Sequence, residues 1–148
     1  MSDLDADLVH VGAEIARADQ KAALLAGLAG AGLAVVATAV KDYQMPLAAQ
    51  IVGGAGVAAF IAAILVLLQV VLPDTGGTAP SGWPRWATCT PEQVLAELGE
   101  DRRAERLCGM ARLAHRKMHG IRTAVRLLRG GIVLLTFGAL GALILTLA

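Results

Sequence analysis

The sequence predicts an all-α integral membrane protein with three transmembrane helices, the first and third extended into the cytosol as a helical stalk. Three observations predict it. The stretches Ala22 to Val40, Leu47 to Leu72 and Gly130 to Ala148 contain no Asp, Glu, Lys or Arg, and each supplies about the twenty residues a helix needs to cross the hydrocarbon of a bilayer. The chain of 148 residues is 56% hydrophobic with only two Phe, two Trp and one Tyr, too apolar for an ordinary soluble domain and too poor in aromatics for a packed aromatic core. Its net charge of +1 conceals segregation, because nearly every Lys and Arg lies between the uncharged stretches.

Residues 1–21 form a cytosolic amphipathic helix. Leu4, Leu8, Val11, Ile15, Ala18, Ala22 and Leu25 recur at alternating spacings of four and three, the seam of one helix that runs without a break into span 22–40. A cleaved signal peptide is not expected, since Asp3, Asp5, Asp7, Glu14 and Asp19 stand where a basic region would be needed. Met45-Pro46 closes an outer turn over 41–46, because proline restricts the residue before it and suits a first helical turn. The second span, 47–72, returns inward.

Gly76-Gly77, Pro80, Gly82 and Pro84 make 73–90 an irregular linker at the inner surface, anchored by Trp83 and Trp86. Helix resumes at Thr90-Pro91-Glu92-Gln93, where Thr caps, Pro occupies the first helical position and Gln93 completes a capping box. In the cytosolic helical region 91–129, Gly99 interrupts and Asp101 caps a new helix. That helix continues through Leu107, Ala111, Ala114, Met118, Ile121, Val125 and Leu128 into the third span, 130–148.

Orientation follows from the cations. Asp74 to Arg129 holds ten Lys or Arg and the outer turn holds one, so the positive-inside rule places the N-terminus and 73–129 in the cytosol and the C-terminus outside. Tyr43 then sits at the outer interface. Cys89 and Cys108 fall on the reducing side, where a structural disulfide is not expected.

The two seams lead from cytosol to membrane, so their helices can lie parallel as a coiled-coil stalk. Acids (Asp5, Asp7, Glu14, Asp19) flank the first seam, and Arg103, His115, Lys117, Arg122 and Arg129 flank the second. Aligning the points of membrane insertion sets Asp7 level with Arg122 and Glu14 level with Arg129. Exposed pairs of this kind contribute about 0–1 kcal/mol each, so they select register and partner more than they stabilise. Inside the spans small residues recur at every fourth position: Gly54, Ala58 and Ala62, then Ala55, Ala59 and Ala63, with Gly138 and Ala142 in the last helix. These faces allow close backbone approach, either in a homo-oligomer or within one subunit.

No catalytic centre is predicted, and the chain does not read as an enzyme. The glycine runs Gly27 to Gly32 and Gly53 to Gly56 lie inside spans, not between a strand and a helix. His10, His115 and His119 lack the carboxylate or cysteine spacing of a metal site, and no Ser or Cys has a His partner with an orienting acid nearby. Gln50 and Gln69 are the only strongly polar side chains in the spans, which speaks against a coupled ion transporter. The basic stripe Arg112, Arg116, Arg122, Arg126 and Arg129 admits two readings: anchoring against anionic lipid, or recognition of a phosphate-bearing ligand.

The run Glu14-Ile15-Ala16-Arg17-Ala18-Asp19-Gln20-Lys21-Ala22-Ala23-Leu24-Leu25, leading directly into a span, resembles the signature of the Pycsar transmembrane effectors, the PycTM family. Trp86-Ala87-Thr88 followed by Thr90-Pro91-Glu92-Gln93, and His115-Arg116-Lys117-Met118 with Ile121-Arg122, resemble further segments of that family. The resemblance covers almost the whole chain; Met118 departs from it where an aromatic is common. It implies an antiviral effector of the bacterial inner membrane that responds to cyclic CMP or cyclic UMP by impairing membrane integrity, with no cofactor and no nucleic-acid partner. The family motifs fall on Glu14, Arg17, Asp19, Lys21, Arg116, Lys117 and Arg122, as ligand contacts or as locks of the stalk. For Asp19 and Lys21, at the membrane boundary, the lock is favoured because unpaired charge there is costly. The rival expectation is a scaffold whose cytosolic helices dock a soluble partner.

Overall fold

The computed structural model describes residues 3–40, 46–72, 89–98 and 101–147. Four helices account for them: α1 (Asp3–Val40), α2 (Leu47–Val71), α3 (Pro91–Leu98) and α4 (Arg103–Leu147). The outer turn with Tyr43 and Met45, the linker with Trp83 and Trp86, and the Gly99 break lie outside the described residues. Among the described residues, α1, α2 and α4 are each long and apolar enough to cross a membrane.

Both amphipathic seams continue into their spans without interruption. α1 has 38 residues and α4 has 45, about 57 and 67 Å at 1.5 Å per residue, so each extends well beyond a hydrocarbon slab of roughly 30 Å. The charged extension of each helix is therefore a direct consequence of its length. Both predicted start signals hold. The Thr90 N–H donates to Gln93 Oε1 at 3.0 Å and the Gln93 N–H to Thr90 Oγ1 at 3.5 Å, the reciprocal capping box. The Arg103 N–H donates to Asp101 Oδ1 at 3.3 Å at the start of α4. At the head of α3, the backbone N–H of Glu92 and then the Thr90 hydroxyl hold the Glu92 carboxyl below its ordinary pKa.

α2 packs antiparallel along α4, and α1 runs parallel to α4 and touches both helices. The buried positions of α2, Ala49, Gly56, Phe60, Ala63, Leu67 and Val70, follow the alternating three-and-four rhythm of a left-handed seam. On α4 the buried positions Lys117, Ala124, Gly131 and Gly138 repeat every seventh residue. That line is one residue N-terminal to the predicted Met118, Val125 line. The reason is Lys117: a seam chosen by apolarity skips it, but its long aliphatic stem lets it occupy a buried position when its ammonium has a partner.

Glycine permits the tightest crossing. A Cβ on Gly131 would stand 2.6 Å from Phe60 Cδ2 and 3.1 Å from the Gly56 carbonyl, and one on Gly56 would stand 2.8 Å from Leu135 Cγ. Gly138 lies against Gly53, with a Cβ placed 3.2 Å from its backbone nitrogen. Where side chains are missing the two backbones approach, and dispersion replaces the hydrophobic drive that lipid does not provide. Within the subunit the faces with small residues at every fourth position are used only in part: Gly54, Ala55 and Ala58 are exposed. Only Ala63 and Gly138 of those sets are buried in the subunit.

All three long helices meet in one apolar cluster of Ala22, Ala63, Leu67, Val70 and Ala124. Its outer side is equally apolar, with Leu28, Val35, Ile51 and Phe137 each 65–70% exposed. Large hydrophobic surface turned outward around a core of small residues is the arrangement expected where lipid is the solvent.

Candidate functional site

Below the apolar cluster, α1 and α4 are tied by contacts that share one register. Arg103 donates to Asp5 Oδ2 at 2.9 Å, and Lys117 donates to Asp19 Oδ1; both pairs are separated by 98 residues. Gly12 faces Met110 at the same separation, a Cβ there reaching 3.6 Å from the methionine Cε. Asp5, Gly12 and Asp19 are spaced by sevens, as are Arg103, Met110 and Lys117. A parallel coiled coil must show this pattern.

The observed register differs from the expected one. Asp7 does not reach the level of Arg122, and Glu14 pairs with Arg17 on its own helix, not with Arg129. Matching the points where charge stops cannot work here, because the uncharged stretch begins much later along α4 than along α1. Interlocking of the seams decides the register.

Lys117 is 9% exposed and is the only buried charged residue among the described ones. Beside it opens a cleft of about 350 Å³ between the C-terminal end of α2 and α4, lined by Val66, Gln69, Val70, Leu72, Leu113, Arg116, Lys117 and Gly120. Gly120 lets α2 approach α4 at the edge of the cleft, for a Cβ there would stand 2.5 Å from Val70 Cγ2. The cleft thus combines an apolar wall, one amide and two cations, and Asp19 engages Lys117. Such a site can accept a small anion with an apolar or flat body: phosphate oxygens accept from guanidinium and ammonium, and Gln69 offers a donor and an acceptor.

The predicted site residues therefore divide into groups. Lys117 and Arg116 line the cleft, and Asp19 reaches it through Lys117. Glu14 and Arg17 pair with each other on α1. Lys21 is exposed just beyond Asp19, and Arg122 is exposed on the face of α4 opposite the seam. The sequence does not mark Gln69 or Gly120 as site residues; the signal for Gln69 is its polarity in a span whose other strongly polar side chain is Gln50. A second cavity, about 860 Å³, lies between the other ends of α2 and α4 and includes Val36, Val57, Leu135, Leu140 and Leu143 in its lining. No charged side chain lines it, so it is unsuited to a phosphate. Among the described residues no three His, Cys, Asp or Glu side chains gather as metal ligands would.

Fold and site together define a class: a small three-helix membrane protein with a cationic cleft at the root of a charged helical stalk. A family model described as the Pycsar effector protein domain, PycTM, matches residues 3–145, and the chain belongs to that family. No curated protein and no solved structure matches it.

Proposed function

We propose that this chain is an antiphage membrane effector whose cleft at Arg116 and Lys117 binds a cyclic pyrimidine mononucleotide, cyclic CMP or cyclic UMP, and whose spans then impair the inner membrane. In this reading the stalk lies in the cytosol, where the excess of Lys and Arg favours it. Family membership supports the effector role. The observation that carries the site is that two cations of the family-like segment line a cleft of about 350 Å³ where α2 meets the stalk, at the small end of ligand-pocket sizes.

The mechanism follows from the competition at Lys117. Its ammonium holds Asp19 of α1, and a ligand phosphate in the cleft competes with that carboxylate. Occupancy weakens one of the ties between α1 and α4 and favours a second arrangement of the stalk by the difference in its affinity for the two states. α1 and α4 both continue into the membrane, so a change in their register is transmitted to the spans without a hinge.

Reconstitution in dye-loaded liposomes tests this directly. Cyclic CMP or cyclic UMP should bind and release dye; absence of binding and leakage with both would remove the proposal. Replacing Arg116 and Lys117 together by Gln should lower nucleotide affinity by at least about tenfold, the loss expected when charge-assisted hydrogen bonds are removed, while insertion persists.

A further inference from the structure

The heights of the charged residues along the three spans carry an inference that does not depend on nucleotide binding. The register set by Asp5–Arg103 and Asp19–Lys117 continues into the membrane region, where Phe60 of α2 lies against Gly32 of α1 and Gly131 of α4: Cβ atoms there would meet its ring at 3.4 and 2.6 Å. Gly32 and Gly131 are therefore level. Val70 touches Gly120, which fixes the C-terminal end of α2 at that height. On this common scale the uncharged stretch of α1 starts level with Gly120, and α2 carries no charge from Leu47 through Leu72. α4 differs: Arg122, Arg126 and Arg129 rise about 3, 9 and 13 Å above Gly120 along the helix.

These arginines share one face at spacings of four and three, opposite the buried line of Lys117, Ala124 and Gly131, and all three are exposed. Among the described residues of the three long helices no acid stands level with the upper two: α1 has none after Asp19, α2 has none, and α4 has none after Glu105. The long helices of a second copy would not supply one either. Subunits related by an axis along the bilayer normal keep every residue at its own height, so the acids of a neighbour's α1, α2 and α4 also stop level with Lys117. Guanidinium remains charged under all ordinary conditions, and bare charge at this depth is costly.

We propose that Arg122, Arg126 and Arg129 form a lipid-phosphate site that holds anionic phospholipid headgroups of the leaflet at the charged end of the molecule. The long side chains bend back towards the interface while their stems cover apolar surface. The phosphates move inward to meet them, thinning that leaflet along one face of α4. The chemistry recognised is a phosphate monoanion at the membrane surface, with lipid as its source.

The full chain reconstituted in phosphatidylcholine vesicles, doped with spin-labelled phosphatidylglycerol or spin-labelled phosphatidylcholine, provides the test. Electron spin resonance reads the fraction of each label restricted by the protein. Phosphatidylglycerol should be preferred by about fivefold or more, the factor expected for one interfacial cation, and R122Q/R126Q/R129Q should bring the ratio close to one. Equal restriction of both labels by the unaltered protein overturns the proposal, and so does a preference that survives the triple substitution. If the triple variant does not insert, R126Q alone must still lower the ratio. Inorganic phosphate added at constant ionic strength should leave the preference intact; erasing it would identify a free-phosphate site and overturn the assignment to lipid. Nucleotide affinity is not read in any arm, so failure here and failure of the cleft reading remain distinct.

Discussion

The two contacts that α4 makes are specified in opposite ways. Against α1, in the charged region, it is held by ion pairs set two heptads apart on a thin apolar seam, Asp5 with Arg103 and Asp19 with Lys117. Against α2, in the uncharged region, it is held by the absence of side chains, where Gly131 meets Gly56 and Phe60 and Gly138 meets Gly53. Water weakens each charge pair, so the first contact can change at modest cost. Close backbone contact in lipid has no such competitor, so the second contact is the rigid part. An effector that moves its stalk against a fixed α2–α4 pair would use this difference.

The largest effect expected from breaking that contrast is in the glycine contact. Gly131→Leu should destabilise the α2–α4 pair by at least about 3 kcal/mol, and Gly131→Ala by about 1–3 kcal/mol, because Phe60 and the Gly56 backbone must both give way. Unfolding in mixed micelles measures it, and a neutral Gly131→Leu would show that the two helices are not in close contact. Next comes the Asp19–Lys117 pair. A double-mutant cycle with Asp19→Asn and Lys117→Met should give a coupling of about 1–2 kcal/mol, above an exposed pair but below a fully buried one, since the Asp19 side chain is 36% exposed. If Asp19 restrains the site, Asp19→Asn should also tighten nucleotide binding, whereas a purely structural pair would weaken it. Smallest is Asp5 with Arg103, both side chains nearly half exposed: the same cycle should yield at most about 1 kcal/mol and vanish in high salt.

Much of this architecture was legible in the residues. The spans followed from charge-free runs, the continuity of α1 and α4 from their unbroken seams, and the starts of α3 and α4 from Thr90, Gln93 and Asp101. Each of these is a local property, set within about one turn of helix or by transfer to lipid. The contact face of α2 was less legible, because Ala and Gly occur on every side of it. Only the partner helix selects Ala49, Gly56 and Ala63 over Gly54 and Ala58. Arg116 and Lys117 stood out in the sequence, but their cleft did not, since its other wall comes from Val66, Gln69, Val70 and Leu72 on a helix distant in the chain.

The sequence by itself determined that three segments belong in lipid, because solvation of a charge-free run depends on composition alone. It also determined which helices carry charge beyond the spans. Tertiary structure alone decided how far each helix slides along its neighbour, and with it that Lys117, not Arg129, meets an acid of α1, and that three arginines stand level with uncharged stretches of both other helices. Sliding is governed by how two seams interlock over many residues, and no count of charges at the end of one helix contains that information.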